Sequence, residues 1–323
     1  MTKGIIFVVE PGDLEQKAIL LASSLRYFGH INSGSTIFAL NPGVNGNIDN
    51  SVKNTLRSFN VELIEEQLNF NFRFYPLANK ILTASWFENR FDQEFDSLVF
   101  LDTDLLVLND VNPLFSPNNK LKVKPEERRN TGLLMAEAPN KFWKMIFEHC
   151  GVDDYQKVWE VKSSVEQEAM RALYNPSVIV KKSGNDFFQT WLHNFEKLMA
   201  DKRLFKINYL QFYFIELSVF SATAVQFFRQ DEIEELKHQD NYPIHLHDKI
   251  EQPARNLNDI NILHYHNHLR YADGLKDFQV SEDYEQWLSN YLPQQTLNKG
   301  LIQRVKEILS FQKHKLKYKY NLL

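Results

Sequence analysis

The sequence predicts an α/β fold, with a mixed, mostly parallel sheet flanked by helices and a helical tail at the C-terminus. Three observations carry this expectation. Short β-branched runs alternate with amphipathic stretches of helical length through the first third of the chain. That alternation calls for parallel pairing, because parallel neighbours need a long crossover that a helix supplies. Third, a chain of 323 residues with 43% hydrophobic content can bury one large core or two modest ones.

Taken in order, Ile5 to Val9 form a β-branched run that "EPGD" turns into a helix. Asp13 is placed to cap that helix, with Gln16 at the capping-box position. Ala18, Leu21, Ala22, Leu25 and Phe28 share one helical face, and Gly29 supplies the stop. "STIFAL" reads as a second strand, "VKNTLRSF" as a short helix and "VELIE" as a third strand. A helix over about 77 to 88 and a strand over 97 to 101 follow. Beyond residue 110 the turn-rich, charged "NPLFSPNNKLKVKPEERRN" reads as a long functional loop, and "KPEERRN" within it as solvated charge first, or as a flexible acceptor or lid loop. Further helices are expected near 140–149, 164–173, 185–200 and 208–221, and a strand near 177–181. The chain divides into a domain over residues 1–293 and a basic amphipathic tail over 294–323, where Leu301, Ile302, Val305, Ile308 and Leu309 make one stripe.

Charge and cysteine content narrow the function. A net charge of −4 gives no basic excess for nucleic acid. A single cysteine, Cys150, rules out an intramolecular disulfide framework and points to a reducing compartment. The apolar run at the N-terminus meets a Pro-Gly turn too early for a signal-peptide core or a membrane span, so a cytoplasmic protein is expected. No phosphate loop of the G-x-x-x-x-G-K-[ST] type, G-x-S-x-G elbow or G-x-G-x-x-G turn is present.

Two motifs carry chemistry. "SLVFLDTD" ends an apolar strand in Asp102 and Asp104, and two buried carboxylates without partners would cost several kcal/mol. In an extended segment both face one side, with Thr103 turned away. Hard oxygen ligands of this kind suit Mn²⁺ or Mg²⁺ with positions left for phosphate oxygens, although turn or cap residues would give the same pattern. Far downstream, "NILHYHNHLRYADG" delivers His264 from a β-like run and Arg270 across a polar turn. An imidazole can complete a metal shell, and a guanidinium can hold a diphosphate by paired hydrogen bonds.

Together these motifs resemble GT-A-fold glycosyltransferases of the glycogenin and bacterial galactosyltransferase type. Those enzymes end a strand in Asp-x-Asp and carry a later His-x-x-Gly-x-x-Lys element. "LDTD" matches the first, and "HYHNHLR" matches the second with Asn267 at the glycine position and Arg270 at the lysine position. "YPLANKILTASWFE", "YNPSVIVKKSGNDFFQTWLHNF" and "DNYPIHLH" resemble further family segments, so the likeness spans nearly all of residues 5–275. "NPS" and "IELS" depart from the family's pattern on the sugar side.

The resemblance implies a nucleoside diphosphate sugar donor, a UDP-sugar above all, and a glycan, lipid-linked or small-molecule acceptor. It implies Asp104 as main metal ligand, Asp102 bridging the metal and a sugar or ribose hydroxyl, His264 as third ligand and Arg270 on the leaving diphosphate. Val9, Glu10 and Pro11 would border the base, with Asn79 and Lys80 as sugar or phosphate contacts. A lysine on a helix is more often a solvated surface residue. Glu216, a carboxylate inside the apolar "LQFYFIELSVF", is either neutralised by a basic partner or lines the sugar site as a catalytic group.

Rival readings start from the same residues. Five of the ten histidines fall between 245 and 268, and His264, His266 and His268 alternate as in a zinc hydrolase, without a recognisable zinc spacing. His245 and His247 stand near that cluster, and on the plainer reading they line the pocket or bind backbone. A sugar-phosphate nucleotidyltransferase shares the architecture but needs a glycine-rich basic loop where this chain has the acidic "VEPGDLEQ". A third reading is an inactive nucleotide-sugar-binding protein. The tail packs on the domain, joins a homo-oligomer, or lies peripherally on the inner membrane surface with its lysines among anionic headgroups.

Overall fold

The computed structural model describes residues 1–31, 34–43, 46–270 and 274–291. The expected tail over 294–323 lies outside the described residues. Strand β1 (Lys3–Val8), helix α1 (Asp13–Tyr27), β2 (Ser35–Asn41), α2 (Asn50–Ser58), β3 (Val61–Glu65), α3 (Ala78–Phe91) and β4 (Ser97–Leu101) follow the expected alternation closely. β1 pairs in parallel with β2 and β4, and β2 with β3.

Helix α1 opens differently from the sequence expectation. Gly12, at φ 97°, is the cap, and its amide donates to Glu15 Oε2 at 3.1 Å. Glycine takes that left-handed backbone without steric cost. At the other end Gly29 lies so close to the Leu25 carbonyl that a Cβ there would sit 2.7 Å from the oxygen.

Past residue 104 the structure departs further. A short β5 (Leu105–Val107) leaves the main sheet, and β6 (Leu121–Pro125) is a wholly buried strand where a loop was expected. Leu121 and Val123 fill the core, while Lys122 and Lys124 sit buried beside Glu234 at 3.0 Å and Glu127 at 3.5 Å. Paired lysines made this strand look solvated; tertiary partners for both allow it inside. "KPEERRN" is likewise not solvated charge at its start, since Glu126 and Glu127 are buried.

Helix α4 (Lys141–Cys150) precedes β7 (Glu160–Lys162) and β8 (Ala169–Arg171), an antiparallel pair where a helix was expected over 164–173. Gln167 turns the hairpin at φ 55°, and the Ser163 hydroxyl accepts the Glu168 amide at 3.0 Å. Strand pairing overrides a helical pattern less than three turns long. β9 (Tyr174–Lys182) then runs antiparallel between β4 and β6.

Helix α5 (Phe187–Met199) follows, and the single helix expected over 208–221 is two, α6 (Tyr209–Tyr213) and α7 (Ile215–Phe227). β10 (Ile233–Glu235) closes the seven-stranded sheet, ordered β10-β6-β9-β4-β1-β2-β3. β11 (Tyr242–Pro243) and β12 (Ile262–His264) form a small sheet with β5. Helix α8 (Glu282–Tyr291) packs Tyr284 and Trp287 against Phe28.

Helices α3, α4, α5 and α7 cover one face of the main sheet and α1 and α2 the other. Because β1 and β4 are adjacent and parallel, their C-terminal ends open side by side, which is where ligands bind in such sheets. No helix among the described residues is long and apolar enough to cross a membrane.

Candidate active site

The aspartate motif is fastened by its backbone and by its middle residue. The Asp102 amide donates to the Ser177 carbonyl at 2.8 Å, and Tyr265 donates to the Asp104 carbonyl at 3.1 Å. Thr103 turns inward and donates its hydroxyl to the Val8 carbonyl at 2.5 Å. Strands β9, β12 and β1 thus hold one turn from three sides. Both aspartate side chains keep 22% of their surface exposed, facing a crevice.

Each aspartate meets a different cation. Lys80 Nζ lies 2.8 Å from Asp102 Oδ1 and 3.0 Å from Glu216 Oε1, so α3, β4 and α7 meet at one buried ammonium. Burial opposes the charge of Lys80, yet Asp102 and Glu216 together carry it above its ordinary value. Burial also pushes the Asp102 and Glu216 carboxyls upward, against the pull of Lys80. The solvated role usual for a helical lysine is therefore not the one Lys80 has, and Glu216 has the basic partner it needs.

Asp104 faces His264 Nε2 at 3.3 Å, Lys17 Nζ at 3.4 Å and His266 Nδ1 at 3.7 Å. Burial works to raise its carboxyl, but His264 first, then Lys17 and His266, hold it well below the usual carboxylate range. The antiparallel register of β5 and β12 sets His264 opposite Leu105, next to Asp104. Ligand atoms of Asp104, His264 and His266 lie within 4.8 Å of one another. His264 is buried, and its Nδ1 has no hydrogen-bond partner. His264 turns Nε2 toward Asp104 with His266 on the same carboxylate, and a carboxylate beside two imidazoles is a donor set that fits a divalent ion. The left-handed residue of this turn is His266, at φ 48°, and not Asn267, which is exposed.

Two lobes open from this centre, and Lys80, Asp102, His264 and His266 line both. The first, about 240 Å³, is bordered by Val8, Glu10, Leu14 and Asn79. There Asn79 donates to Glu10 Oε1 at 2.7 Å and accepts from Asn69 at 2.7 Å. Of the other expected base contacts, Val9 is buried in the core with its amide on the Leu40 carbonyl, and Pro11 is half-buried in the turn before α1.

The second lobe, about 270 Å³, is bordered by Glu126, Glu127, Asn175, Glu216 and His245. Asn175 donates to Glu127 at 3.0 Å, and Lys124 donates to the Asn241 carbonyl at 2.6 Å. Burial pushes the His245 imidazole down to about 4. His245 thus lines the pocket, while His247 contacts the Tyr242 hydroxyl at 2.8 Å.

Sequence reasoning missed Lys17, Glu126 and Glu127 as residues of the crevice. Their signal was weak, because a lysine on an amphipathic helix and an acidic pair in a charged run both look solvated. His266 was read only as part of the zinc alternative. The side chain of Arg270 lies outside the described residues; its backbone ends a 3₁₀ turn over His268–Arg270.

Comparison with known proteins gives the class. No curated protein matches the chain. In shape it is similar to mouse xyloside xylosyltransferase 1 in its apo form, with TM-score 0.47 and 15% identity over 82% of this chain and 97% of that one. It is also similar to galactosyltransferase LgtC in complex with donor and acceptor sugar analogues, with TM-score 0.46 and 11% identity over 88% of this chain and 99% of that one. For the glycosyltransferase GlyE of Streptococcus pneumoniae TIGR4 the TM-score is 0.49 and the identity 16%, over 90% of this chain and 61% of that one. Likenesses this distant assign no residue a role. The family profile described as a Rhodobacterales glycosyltransferase domain, by contrast, matches residues 5–212, from β1 through α6. The chain belongs to that family, and it is a glycosyltransferase.

Proposed function

We propose that the protein transfers a sugar from a nucleoside diphosphate sugar, a UDP-sugar by preference, to a hydroxyl of a glycan, lipid-linked or small-molecule acceptor. The observation that carries this reading is the shared wall of the two lobes. Asp102, Lys80 and His264 stand where both lobes meet. A donor with its nucleoside toward Glu10 and Asn79 therefore presents its sugar linkage between the aspartates and Glu216.

Within this reading Asp104 and His264 hold a divalent ion, with Asp102 or His266 beside it. Such an ion supplies Lewis-acid stabilisation of the charge that develops on a leaving diphosphate. Lys80 keeps Asp102 and Glu216 oriented, and Glu216 faces the sugar as the carboxylate that hydrogen-bonds a hydroxyl or takes its proton. Asn267 and Arg270 are assigned to the diphosphate by their place after β12.

The test is a thermal-shift screen of UDP, GDP, CMP and ADP with and without a divalent ion, followed by release of the nucleotide from the matching sugar donor. One nucleotide raising the melting temperature only with the ion is the expected result. No shift with any pair at saturating ligand would sink the donor assignment.

A further inference from the structure

We infer that the exposed aromatic face of helix α6 is the acceptor subsite: the rings of Tyr209 and Tyr213 receive the apolar face of a pyranose, and the acceptor is a glycan. The inference rests on the proposed transfer for there being an acceptor, and goes beyond it in naming the residues that receive it and its chemical class.

Large apolar side chains are seldom exposed in this protein. Among the described residues they are Met1, Tyr27, Phe70, Tyr209, Leu210 and Tyr213, and the last three all belong to the five-residue helix α6. The core does not force them out. Phe212 of the same helix is buried and packs on Tyr75 with ring centroids 5.3 Å apart. Tyr209 and Tyr213, four residues apart, share one side of the helix. Their ring centroids are 6.3 Å apart and their planes inclined by 32°.

This face is continuous with the crevice, because Tyr213 borders both lobes. The Tyr75 hydroxyl donates to the Tyr213 carbonyl at 3.1 Å and accepts the Glu216 amide at 2.9 Å. One buried hydroxyl therefore fixes the end of the aromatic face relative to the Glu216 carboxylate. Arg128, Asn130 and Asn175 stand in the wall of the second lobe. There Glu126, 3% exposed, accepts from Asn130 through Oε1 at 2.7 Å, while Oε2 has no hydrogen-bond partner. A buried polar atom left open in a cleft calls for a hydroxyl from a ligand.

The chemistry of the surroundings selects the class. The electron-rich face of an aromatic ring attracts the polarised C–H bonds of a pyranose, while guanidinium, amide and carboxyl groups suit its hydroxyl rim. A lipid chain would leave those polar groups unpaired. A protein partner would need more area: three side chains about half exposed offer on the order of 300 Å², against roughly 800 Å² per partner in a stable interface.

The experiment uses the full chain, with and without UDP and Mn²⁺, and saturation-transfer NMR from the protein's aromatic protons. The probes are methyl β-D-glucopyranoside, methyl β-D-galactopyranoside and lactose at up to about 50 mM, which fills even a millimolar site. Transfer to the axial C–H protons of at least one glycoside is expected. Tyr209→Ala and Tyr213→Ala should each raise its dissociation constant about threefold or more, and Tyr209→Phe and Tyr213→Phe should hold it within about twofold, since the ring makes the contact.

No transfer to any of the three glycosides would overturn the inference, as would binding that both alanine variants leave unchanged. Sedimentation of the wild type, but not of the alanine variants, with phosphatidylglycerol vesicles in place of glycoside binding would give the face to lipid and overturn it equally. In each of these cases UDP stabilisation with Mn²⁺ would still uphold the proposed transfer from a nucleotide donor. Failure of every nucleotide beside glycoside binding on α6 would remove the donor reading alone.

Discussion

Helix α3 carries a buried ion network at each end, and the two have opposite uses. Near its C-terminus Glu88 and Asp92 meet Lys181 of β9 at 3.0 and 2.8 Å. Near its N-terminus Lys80 meets Asp102 and Glu216 at nearly the same distances. Around Lys181 the remaining acceptors are saturated by backbone. Glu88 accepts the Phe188 and Gln189 amides at 3.0 and 2.8 Å, thereby capping α5 from another helix, and Asp92 accepts the Gly184 amide at 2.7 Å. Asp102 and Glu216 face the second lobe instead. A buried charge whose hydrogen bonds are complete builds the fold; one with acceptor capacity left over is available to a ligand.

Four substitutions sharpen or break that contrast. Asp104→Ala should abolish ion-dependent nucleotide stabilisation while the protein still melts cooperatively, as a strand-end ligand contributes little to packing. Retained ion-dependent binding would cancel the division of labour between the two ends of α3. Lys80→Met should reduce sugar transfer by about a hundredfold or more, with a smaller loss of stability than the equivalent change at Lys181. Turnover at the wild-type rate would make the Lys80 network structural too.

Lys181→Met should cost about 3–5 kcal/mol in urea denaturation, since Glu88 and Asp92 stay buried without their cation. Transfer per folded molecule should be unchanged, and a matching fall in activity would merge the two networks into one. A surface cluster sets the lower limit. Asp201 lies 2.8 Å from both Arg203 Nε and His149 Nε2, and Arg203 first, with His149 aiding, holds its carboxyl well below the usual range. A depressed carboxyl contributes stability that is present above its unfolded value and lost as pH falls through the folded one. Asp201→Asn should therefore lower stability by about 1 kcal/mol or less at neutral pH. That difference should vanish in melts at strongly acid pH. A gap that widened with acid would reverse the sign of the interaction.

The first third of the chain was legible because its signals are local. Ile5 to Val9, "STIFAL" and "VELIE" are β-branched runs between helical stretches, and their parallel pairing needed no knowledge of distant residues. The Asp102–Thr103–Asp104 turn was readable for the same reason: an apolar run that stops on two carboxylates marks a strand end. β6 was illegible because Lys122 and Lys124 are tolerable inside only once Glu234 and Glu127 are in place. The β7–β8 hairpin was misread because its helical pattern is short and its strands are stabilised by each other. His266 looked like one of several alternating histidines, and only its left-handed backbone brings it beside His264.

Periodicity and composition thus settle which segments are strands or helices near the N-terminus and where the aspartates sit, since both depend on neighbours a few residues away. Which cation each aspartate meets was left to tertiary structure. Lys17, Lys80, Glu216 and His264 reach the motif from α1, α3, α7 and β12, and sequence spacing says nothing about distances between elements so far apart in the chain. Coulomb energies and desolvation depend on those distances and on burial. Lys80 could accordingly pass for a surface lysine until α7 brought Glu216 to within 3.0 Å of it.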